Sequence, residues 1–274
     1  MGRSMLVVLV LGAAAGCGGA STEVARSVAP ETSIADVPSG ALGLVPGETM
    51  TFEVRVGGVL AGEAALAVGQ PGVVDGRRSV AVRSRMASAG AFALIKNVVD
   101  EATTVFDMDS TLPVSMTADV VYGDKAYHAD VLFRGSQVDL SYTRGSSDHR
   151  VKQSLDFGSG IAHDAHSAMA AIRTWQPEPG ATRSLWVMGG RRAWRSDVRY
   201  VGRETLGTSF GNHQALRIDG TAYRVRSDRS LDTAKGARTF TVWMSDDADR
   251  VPLRVVATTE LGDVTIDLTD YRRP

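Results

Sequence analysis

Residues 49–68 read TMTFEVRVGGVLAGEAALAV and contain the pattern that decides the fold. Phe52, Val54 and Val56 alternate with polar residues until Gly57-Gly58 interrupts the run, and a second stretch rich in apolar residues follows. Because successive side chains of a strand point to opposite faces, the alternation predicts a strand with one buried face. Glycine adopts the positive φ angles of a tight turn without strain, so the whole stretch predicts a β-hairpin.

Glycine-containing turns between such stretches recur along the chain. They fall at Gly123-Asp124, Gly135-Ser136, Gly189-Gly190 and Gly262-Asp263. Strands joined by short turns run antiparallel, and a long antiparallel sheet curls. The sequence therefore predicts a mainly β fold for residues 46–274, a single domain built as a curled antiparallel meander or open half-barrel.

Two segments lack the alternation and predict helices. Residues 161–176, IAHDAHSAMAAIRTWQ, place apolar side chains at helical spacing and are followed by Pro177, which cannot continue a helix. Residues 88–99, SAGAFALIKNVV, predict a second, short helix. We expect the central helix to cover apolar side chains on the concave face of the sheet.

The N-terminal part of the chain reads as an export and attachment signal. Arg3 precedes the apolar run MLVVLVLGAAA, which is too short to cross a membrane core, since that requires about 20 residues. A positive charge before a short apolar run is typical of a secretory signal peptide, which we place at residues 1–16. Residues 17–45 are predicted to form a lipidated cysteine and a flexible tether that is too poor in apolar residues to fold.

Cys17, the only cysteine, ends the sequence AAGC, which resembles the lipobox of bacterial lipoproteins. In that motif the cysteine carries acyl chains such as palmitate and becomes the mature N-terminus. The resemblance implies a protein of the bacterial cell envelope whose N-terminal lipid anchors it to a membrane. Gly18 stands where an inner-membrane retention signal has aspartate, which implies the outer membrane, facing the periplasm. The alternative is an ordinary signal peptide that is cleaved nearby.

The composition excludes some classes of function. The 274 residues are 43% hydrophobic and 22% charged, with a formal net charge of −1. Nucleic-acid-binding proteins usually carry a strongly basic face, so we expect no nucleic-acid partner. We also expect no cofactor, because the glycines fall at predicted hairpin turns and not between a strand and a helix, where phosphate-binding loops lie.

The sequence HDAH places His163, Asp164 and His166 near the start of the central helix. Histidines three residues apart on a helix could share a face and bind a metal with a distant third ligand. Ser167 beside them suggests a hydrolase, although G-x-S-x-G is absent here. Asp and Ser are also the residues that begin helices, so we assign no catalytic residue and no metal. These residues, and the arginines described next, remain candidates for contact with a ligand.

Two arginine-rich stretches, RRAWRSDVRYVGR and TAYRVR, suggest a basic surface. Arg195 and Arg199 share one face of a predicted strand, and Arg224 and Arg226 share a face of another. If these strands are neighbours, the four arginines form a basic face suited to the phosphates of anionic lipids or to envelope polysaccharides. The alternative is a solvated face on which nearby aspartates pair with the arginines.

Several segments, in order, resemble an exported bacterial family known only as a domain of unknown function, whose members are β-rich and periplasmic or lipid-anchored. The resemblance covers about residues 46–271 and rests on GETMTFEVRVGGVLAGEA, VFDMDSTLPVSM, DAHSAMAAIRT and FTVWMSDDADRVPLRV. It implies no established reaction, and a fold similar to the half-barrels of lipoprotein carriers.

The predicted function is that of a non-enzymatic envelope lipoprotein which binds a lipid, lipoprotein, glycan or protein partner in the concavity of its sheet. One alternative is an envelope hydrolase or metal-dependent enzyme that uses residues 163–167. The other is a scaffold without a ligand.

Overall fold

The computed structural model describes residues 42–259 and 262–274. Cys17, the signal peptide at residues 1–16 and the tether up to residue 41 lie outside the described residues. The described part contains sixteen strands, two α-helices and one 3-10 helix. In chain order they are β1 (Thr49–Val56), β2 (Val59–Val68), β3 (Gly72–Val74), β4 (Arg77–Ser88), α1 (Gly90–Ile95), β5 (Val98–Asp107), β6 (Pro113–Tyr122), β7 (Lys125–Arg134), β8 (Gln137–Arg144), β9 (Val151–Asp156), β10 (Ala162–Asp164), α2 (Ala165–Arg173), β11 (Thr182–Gly189), β12 (Arg192–Thr208), β13 (Gly211–Arg224), the 3-10 helix (Thr233–Lys235), β14 (Arg238–Ser245), β15 (Pro252–Thr259) and β16 (Gly262–Arg272).

All the described strands belong to one sheet. Its order is β10-β11-β12-β13-β14-β15-β16-β1-β2-β4-β5-β6-β7-β8-β9, with β3 attached to β4. Neighbours pair antiparallel except β10 and β11, which are parallel because α2 connects them. The sheet is open, since its two outermost strands in the described chain, β9 and β10, do not pair with each other. The mainly β prediction, an open half-barrel with a central helix, is confirmed.

The first hairpin forms as the sequence predicts. Gly57 and Gly58 have φ angles of +57° and +84°, which place both residues in the left-handed region that a two-residue turn of this type requires. The turns at Gly123-Asp124 and Gly135-Ser136 are also confirmed.

The last two predicted turns are displaced, because strand pairing runs further than expected. Gly189 still pairs with Arg192, so that turn is made by Gly190 and Arg191. Gly262 pairs with Thr259 and therefore belongs to β16.

Helix α2 is shorter than the prediction of residues 161–176. Asp164 and Ser167 form a capping box, in which each side chain accepts a hydrogen bond from the backbone N–H of the other residue. This cap fixes the start of the helix, and the three residues of β10 precede it. Thr174 is the C-cap, so the helix ends before Pro177 is reached.

Helix α1 is also shorter than the prediction of residues 88–99. Its six residues are Gly90–Ile95, while Val98 and Val99 begin β5. The helix has no side-chain cap and no buried residue. No helix in the described parts of the chain is long and apolar enough to cross a membrane.

The apolar core has two parts. The larger part surrounds α2 and is made by the inward side chains of most strands from β1 to β5 and from β11 to β16. The smaller part joins the two ends of the sheet, because Phe133 and Leu155 from one end pack in one cluster with Met188 and Ala193 from the other. We call this contact between β6–β9 and β10–β13 the seam. Across it the rings of Phe157 and Trp186 stack with centroids 5.2 Å apart.

The segment before β1 is part of the folded body. Leu44, which the sequence assigns to the tether, is buried in the larger core. Glu48 follows it and is fully buried, where its carboxylate receives two hydrogen bonds from Arg173 at the end of α2. Residues 42–45 therefore belong to the folded domain and not to the predicted tether.

Candidate functional site

The sequence HDAH does not form the metal-binding helix face that its spacing suggests. His163 lies on β10 opposite Val187, whereas His166 lies in the first turn of α2. His163, Asp164 and His166 are 4%, 0% and 2% exposed. Within residues 42–259 and 262–274, no group of three His, Cys, Asp or Glu side chains is placed to hold a metal ion. The prediction that both histidines share a helix face is wrong, because the capping box begins the helix after His163.

Asp164 is the centre of a buried hydrogen-bond network. Its Oδ1 accepts hydrogen bonds from the backbone N–H and the hydroxyl of Ser167 at 2.9 and 2.7 Å. The Thr104 hydroxyl donates to Oδ2, and His166 Nδ1 lies 3.5 Å from the same oxygen. Burial acts to raise the pKa of Asp164, but these hydrogen bonds and the charge of His166 outweigh it and lower the pKa to about 2. Asp164 is therefore ionised at neutral pH.

Ser84, His166 and Asp164 follow one another in the order of a hydrolase triad. His166 Nε2 lies 2.8 Å from Ser84 Oγ, and Thr104 Oγ1 lies between His166 Nδ1 and Asp164, 2.7 Å from the ring nitrogen. Ser84 is only 8% exposed, however, and the adjoining cavity of about 20 Å³ has room for only one water molecule. An ester or amide substrate does not fit there. The network connects α2 to β4 through Ser84 and to β5 through Thr104, and Ser167 caps the helix.

His163 is a buried neutral histidine. Burial and the nearby positive charge of Arg183 outweigh the opposing effect of Asp164 and lower the pKa of His163 to about 4. Its Nδ1 has no hydrogen-bond partner in the described part of the chain. Desolvation thus keeps this side chain uncharged at neutral pH.

Asp100 is a buried carboxyl group that the sequence reasoning missed. It lies on β5 between Met86 of β4 and Val120 of β6, and it lines the same small cavity as Ser84 and His166. Its Oδ2 has no partner among the described residues, and burial raises its pKa to about 7. The signal was present in the sequence, because position 100 falls on the inward face of the alternating strand VVDEATTVFD.

The predicted face of four arginines is not formed. Strands β12 and β13 are neighbours, but their register sets Arg224 opposite the buried Trp194 and sets Arg195 opposite Tyr223. Arg224 therefore lies on the inner side of the sheet, whereas Arg195 and Arg199 point outward.

Three of these arginines have carboxylate partners. Arg195 pairs with Asp197 at 2.9 Å, while Arg224 and Arg226 share Asp232 at 3.7 and 3.0 Å. The aspartate-paired alternative is the better description of them.

An apolar cavity lies at one end of the half-barrel. Turns alternate between the two ends of an antiparallel meander, so the β1–β2, β6–β7 and β11–β12 turns share one end, which we call the turn end. The cavity there measures about 40 Å³ and is lined by side chains that include Val54, Ala61, Met86, Val98 and Tyr122. Phe92 of α1 lies against it. A second apolar cavity of about 40 Å³ separates α2 from β1, β2 and β14–β16.

These features define a β-barrel-like protein with a largely filled interior and an apolar cavity under a short helix. A crystal structure of such a protein, the β-barrel-like protein of domain of unknown function DUF1849 from Brucella abortus, has the same overall fold. Its TM-score is 0.51 at 7% identity, over 83% of this chain and 97% of that chain.

Residues 51–269 match the family described as protein of unknown function (DUF3108), and the chain belongs to this family. The resemblance to a domain of unknown function is thereby confirmed.

Two solved lipoprotein structures are more distant. The hypothetical lipoprotein YmcC from Escherichia coli has a TM-score of 0.29 at 10% identity, over 82% of this chain and 88% of that chain. The lipoprotein LppX from Mycobacterium tuberculosis has a TM-score of 0.25 at 14% identity, over 82% of this chain and 87% of that chain. No curated protein matches the sequence.

Proposed function

We propose that the protein is a non-enzymatic, lipid-anchored module of the bacterial cell envelope that binds the acyl chain of a lipid beneath α1. The observation that carries this proposal is the position of the apolar side chains of α1. Its Leu94 and Ile95 are 90% and 82% exposed, while its Phe92 closes the apolar cavity at the turn end. Large exposed apolar side chains on a soluble surface mark sites that contact a membrane or another apolar partner.

Lifting α1 requires little free energy. The helix has six residues, no side-chain cap and no buried side chain, so few contacts hold it in place. Isolated helices of this length are not stable in water, which also favours opening. In the closed state the cavity is far too small for an acyl chain, so binding needs the opened state. Each methylene group that then leaves water contributes about 0.8 kcal/mol.

The proposed anchor rests on the sequence around Cys17. A Cys17→Ser variant is expected to lose labelling by a palmitate analogue in living cells and to leave the membrane fraction or remain unprocessed. Gly18→Asp is the matched control, because it keeps the acylated thiol. It should keep its label and move from the outer to the inner membrane of an enteric host. Unchanged membrane labelling of Cys17→Ser would refute the anchor.

We call α1 in this proposed role the lid. Its role is tested by measuring how the unacylated protein binds a fluorescent long-chain phospholipid. Replacing Leu94 and Ile95 by serine should weaken lipid binding about thirtyfold, because the opened cavity loses two apolar contacts worth roughly 1 kcal/mol each when partly buried. Val73→Ser is the control, since Val73 is 72% exposed on β3 at the opposite end. Binding that is absent in the parent protein, or equal in all three proteins, contradicts the proposal.

A further inference from the structure

Four arginines gather at the turn end where the two ends of the sheet meet. Arg144 ends β8 on one side of the seam, whereas Arg191 and Arg192 lie at the β11–β12 turn and Arg224 ends β13 on the other side. We call these four residues the arginine cluster. Arg144 is at least 47 residues away from the other three in the sequence, so only the curl of the sheet brings it close to them.

Two tyrosines hold the cluster in place. The Arg191 guanidinium lies 5.2 Å from the ring centre of Tyr127 and 6.0 Å from that of Tyr142. Arg144 lies 5.2 Å from the ring of Tyr142 and donates a hydrogen bond to its hydroxyl at 3.0 Å. The guanidinium groups of Arg191 and Arg144 are therefore positioned by aromatic rings and not by acidic partners.

The β11–β12 turn packs closely on Tyr127. Gly190 has a φ of +58°, and a Cβ atom at this position would come within 2.7 Å of the Tyr127 hydroxyl. Glycine thus allows the turn to approach the ring, which fixes where Arg191 and Arg192 begin. The cluster is a consequence of the fold and not of free surface side chains.

The charge of the cluster is largely uncompensated. Arg224 has Asp232 at 3.7 Å, but that carboxylate is shared with Arg226. In the described part of the chain, no carboxylate oxygen lies within 4.0 Å of Arg144, Arg191 or Arg192. Other arginines of this sheet, such as Arg217 and Arg254, have such partners.

Partial burial makes this arrangement costly. Burial and, to a smaller extent, the positive charges of the neighbouring cluster members lower the pKa of Arg191 and lower that of Arg192 to about 10. Both side chains are still protonated at neutral pH. Half-buried like charges without counter-charges are unfavourable for folding, and such groups concentrate at sites that bind a ligand of opposite charge.

We infer that the arginine cluster is a binding site for a phosphate group, either free or carried by the headgroup of an anionic lipid. Planar guanidinium groups match the oxygens of phosphate with two parallel hydrogen bonds each. The site goes beyond the acyl-chain cavity, because its residues lie on other strands and its recognition is electrostatic. The cluster and α1 nevertheless lie at the same end of the half-barrel, where one amphiphile can reach both.

The test uses the unacylated full-length protein and two probes. Isothermal titration calorimetry with inorganic phosphate detects a site for the free ion. Sedimentation with vesicles of phosphatidylcholine, with and without phosphatidylglycerol, detects a site for the headgroup. Saturable one-to-one binding of phosphate, or binding only to vesicles that contain phosphatidylglycerol, supports the site and tells the two sources apart. Binding of neither probe overturns it.

A charge-matched pair of variants separates the site from general electrostatics. Arg191→Gln with Arg192→Gln should weaken binding of the effective probe by at least about tenfold, because it removes charge-assisted hydrogen bonds. Arg195→Gln with Arg199→Gln removes the same charge from the outer face of the same strand and should leave binding unchanged. Equal losses in both variants would overturn the site.

Two further measurements separate loss of phosphate binding from unfolding and from loss of the lid. The Arg191→Gln, Arg192→Gln variant should unfold at the same temperature as the parent or at a higher one, because like-charge repulsion is relieved. Phosphate binding should also survive in the Leu94→Ser, Ile95→Ser variant. The two proposals are therefore tested independently: phosphate can bind even if the lid does not bind lipid, and the lid can bind lipid even if the arginine cluster does not bind phosphate.

Discussion

Glu48→Ala is expected to lower the free energy of unfolding by about 3–5 kcal/mol, because it leaves a buried guanidinium without its counter-charge. Glu48 Oε1 and Oε2 accept hydrogen bonds from the two terminal nitrogens of Arg173 at 2.6 and 3.0 Å. The side chains of the pair are 0% and 3% exposed, so water cannot replace the missing partner. Urea denaturation at neutral pH measures the loss.

Two controls identify the source of this effect. Glu53→Ala breaks an ion pair with Arg55 whose side chains are about 40% exposed, and it should cost less than about 1 kcal/mol. Glu48→Leu combined with Arg173→Met removes both buried charges and should recover part of the stability. Recovery stays incomplete because Arg173 also donates to the carbonyl of Asp249 at 2.8 Å. A Glu48→Ala cost no larger than that of Glu53→Ala would show that the pair does not hold the fold.

This ion pair also determines where the proposed anchor joins the domain. Tyr271 of the last strand donates to Glu48 Oε2 at 3.3 Å, and Val45 donates to Oε1 at 3.0 Å. The start of β1 and the end of β16 are thus fastened at the end opposite to the turn end. The chain from residue 18 to residue 41 spans at most about 80 Å when extended, and a ten-residue strand is about 33 Å long. A lipid on Cys17 would therefore still allow the turn end to face the membrane.

Local features of the fold were readable from the sequence, whereas its long-range features were not. Alternation around Gly57-Gly58 is enough to predict the first hairpin, since neighbouring residues decide it. The start of α2 could also have been predicted from Asp164 and Ser167, which stand at capping-box spacing, but the prediction began the helix at residue 161. The prediction placed the helix earlier only because residues 161–164 also fit its apolar period.

The arginines show where local reasoning ends. Alternation predicts which residues of one strand share a face, but the register between two strands decides which of their faces coincide. Strand β12 has a bulge after Tyr200 that changes this register, and no local sequence pattern predicts it. On β13 the aromatic Tyr223 faces outward while Arg224 faces the interior. The arginine cluster needs still more, because Arg144 meets Arg191 only when the sheet curls and forms the seam. Sequence spacing contains no trace of that contact.

Asp100→Asn is expected to stabilise the protein in a pH-dependent way. Burial raises the pKa of Asp100 from its ordinary value of 3.8 to about 7, so the folded protein holds this proton more tightly than the unfolded chain does. Between these two pH values the unfolded chain ionises and the folded state loses stability progressively, by about 1.4 kcal/mol for each pH unit. Above pH 7 the accumulated cost is on the order of 4 kcal/mol.

Asparagine keeps the shape of the side chain but cannot ionise, so it removes this cost. Unfolding by urea at pH 5 and at pH 8 should show the gain from Asp100→Asn growing by about 2–3 kcal/mol between the two conditions. Asp124→Asn, at an exposed position in the β6–β7 turn, is the control and should show no such growth. A gain of the same size at both pH values would mean that Asp100 is ionised in the folded protein. A counter-charge would then have to stabilise the carboxylate within the cavity that Asp100 shares with Tyr127 and His166.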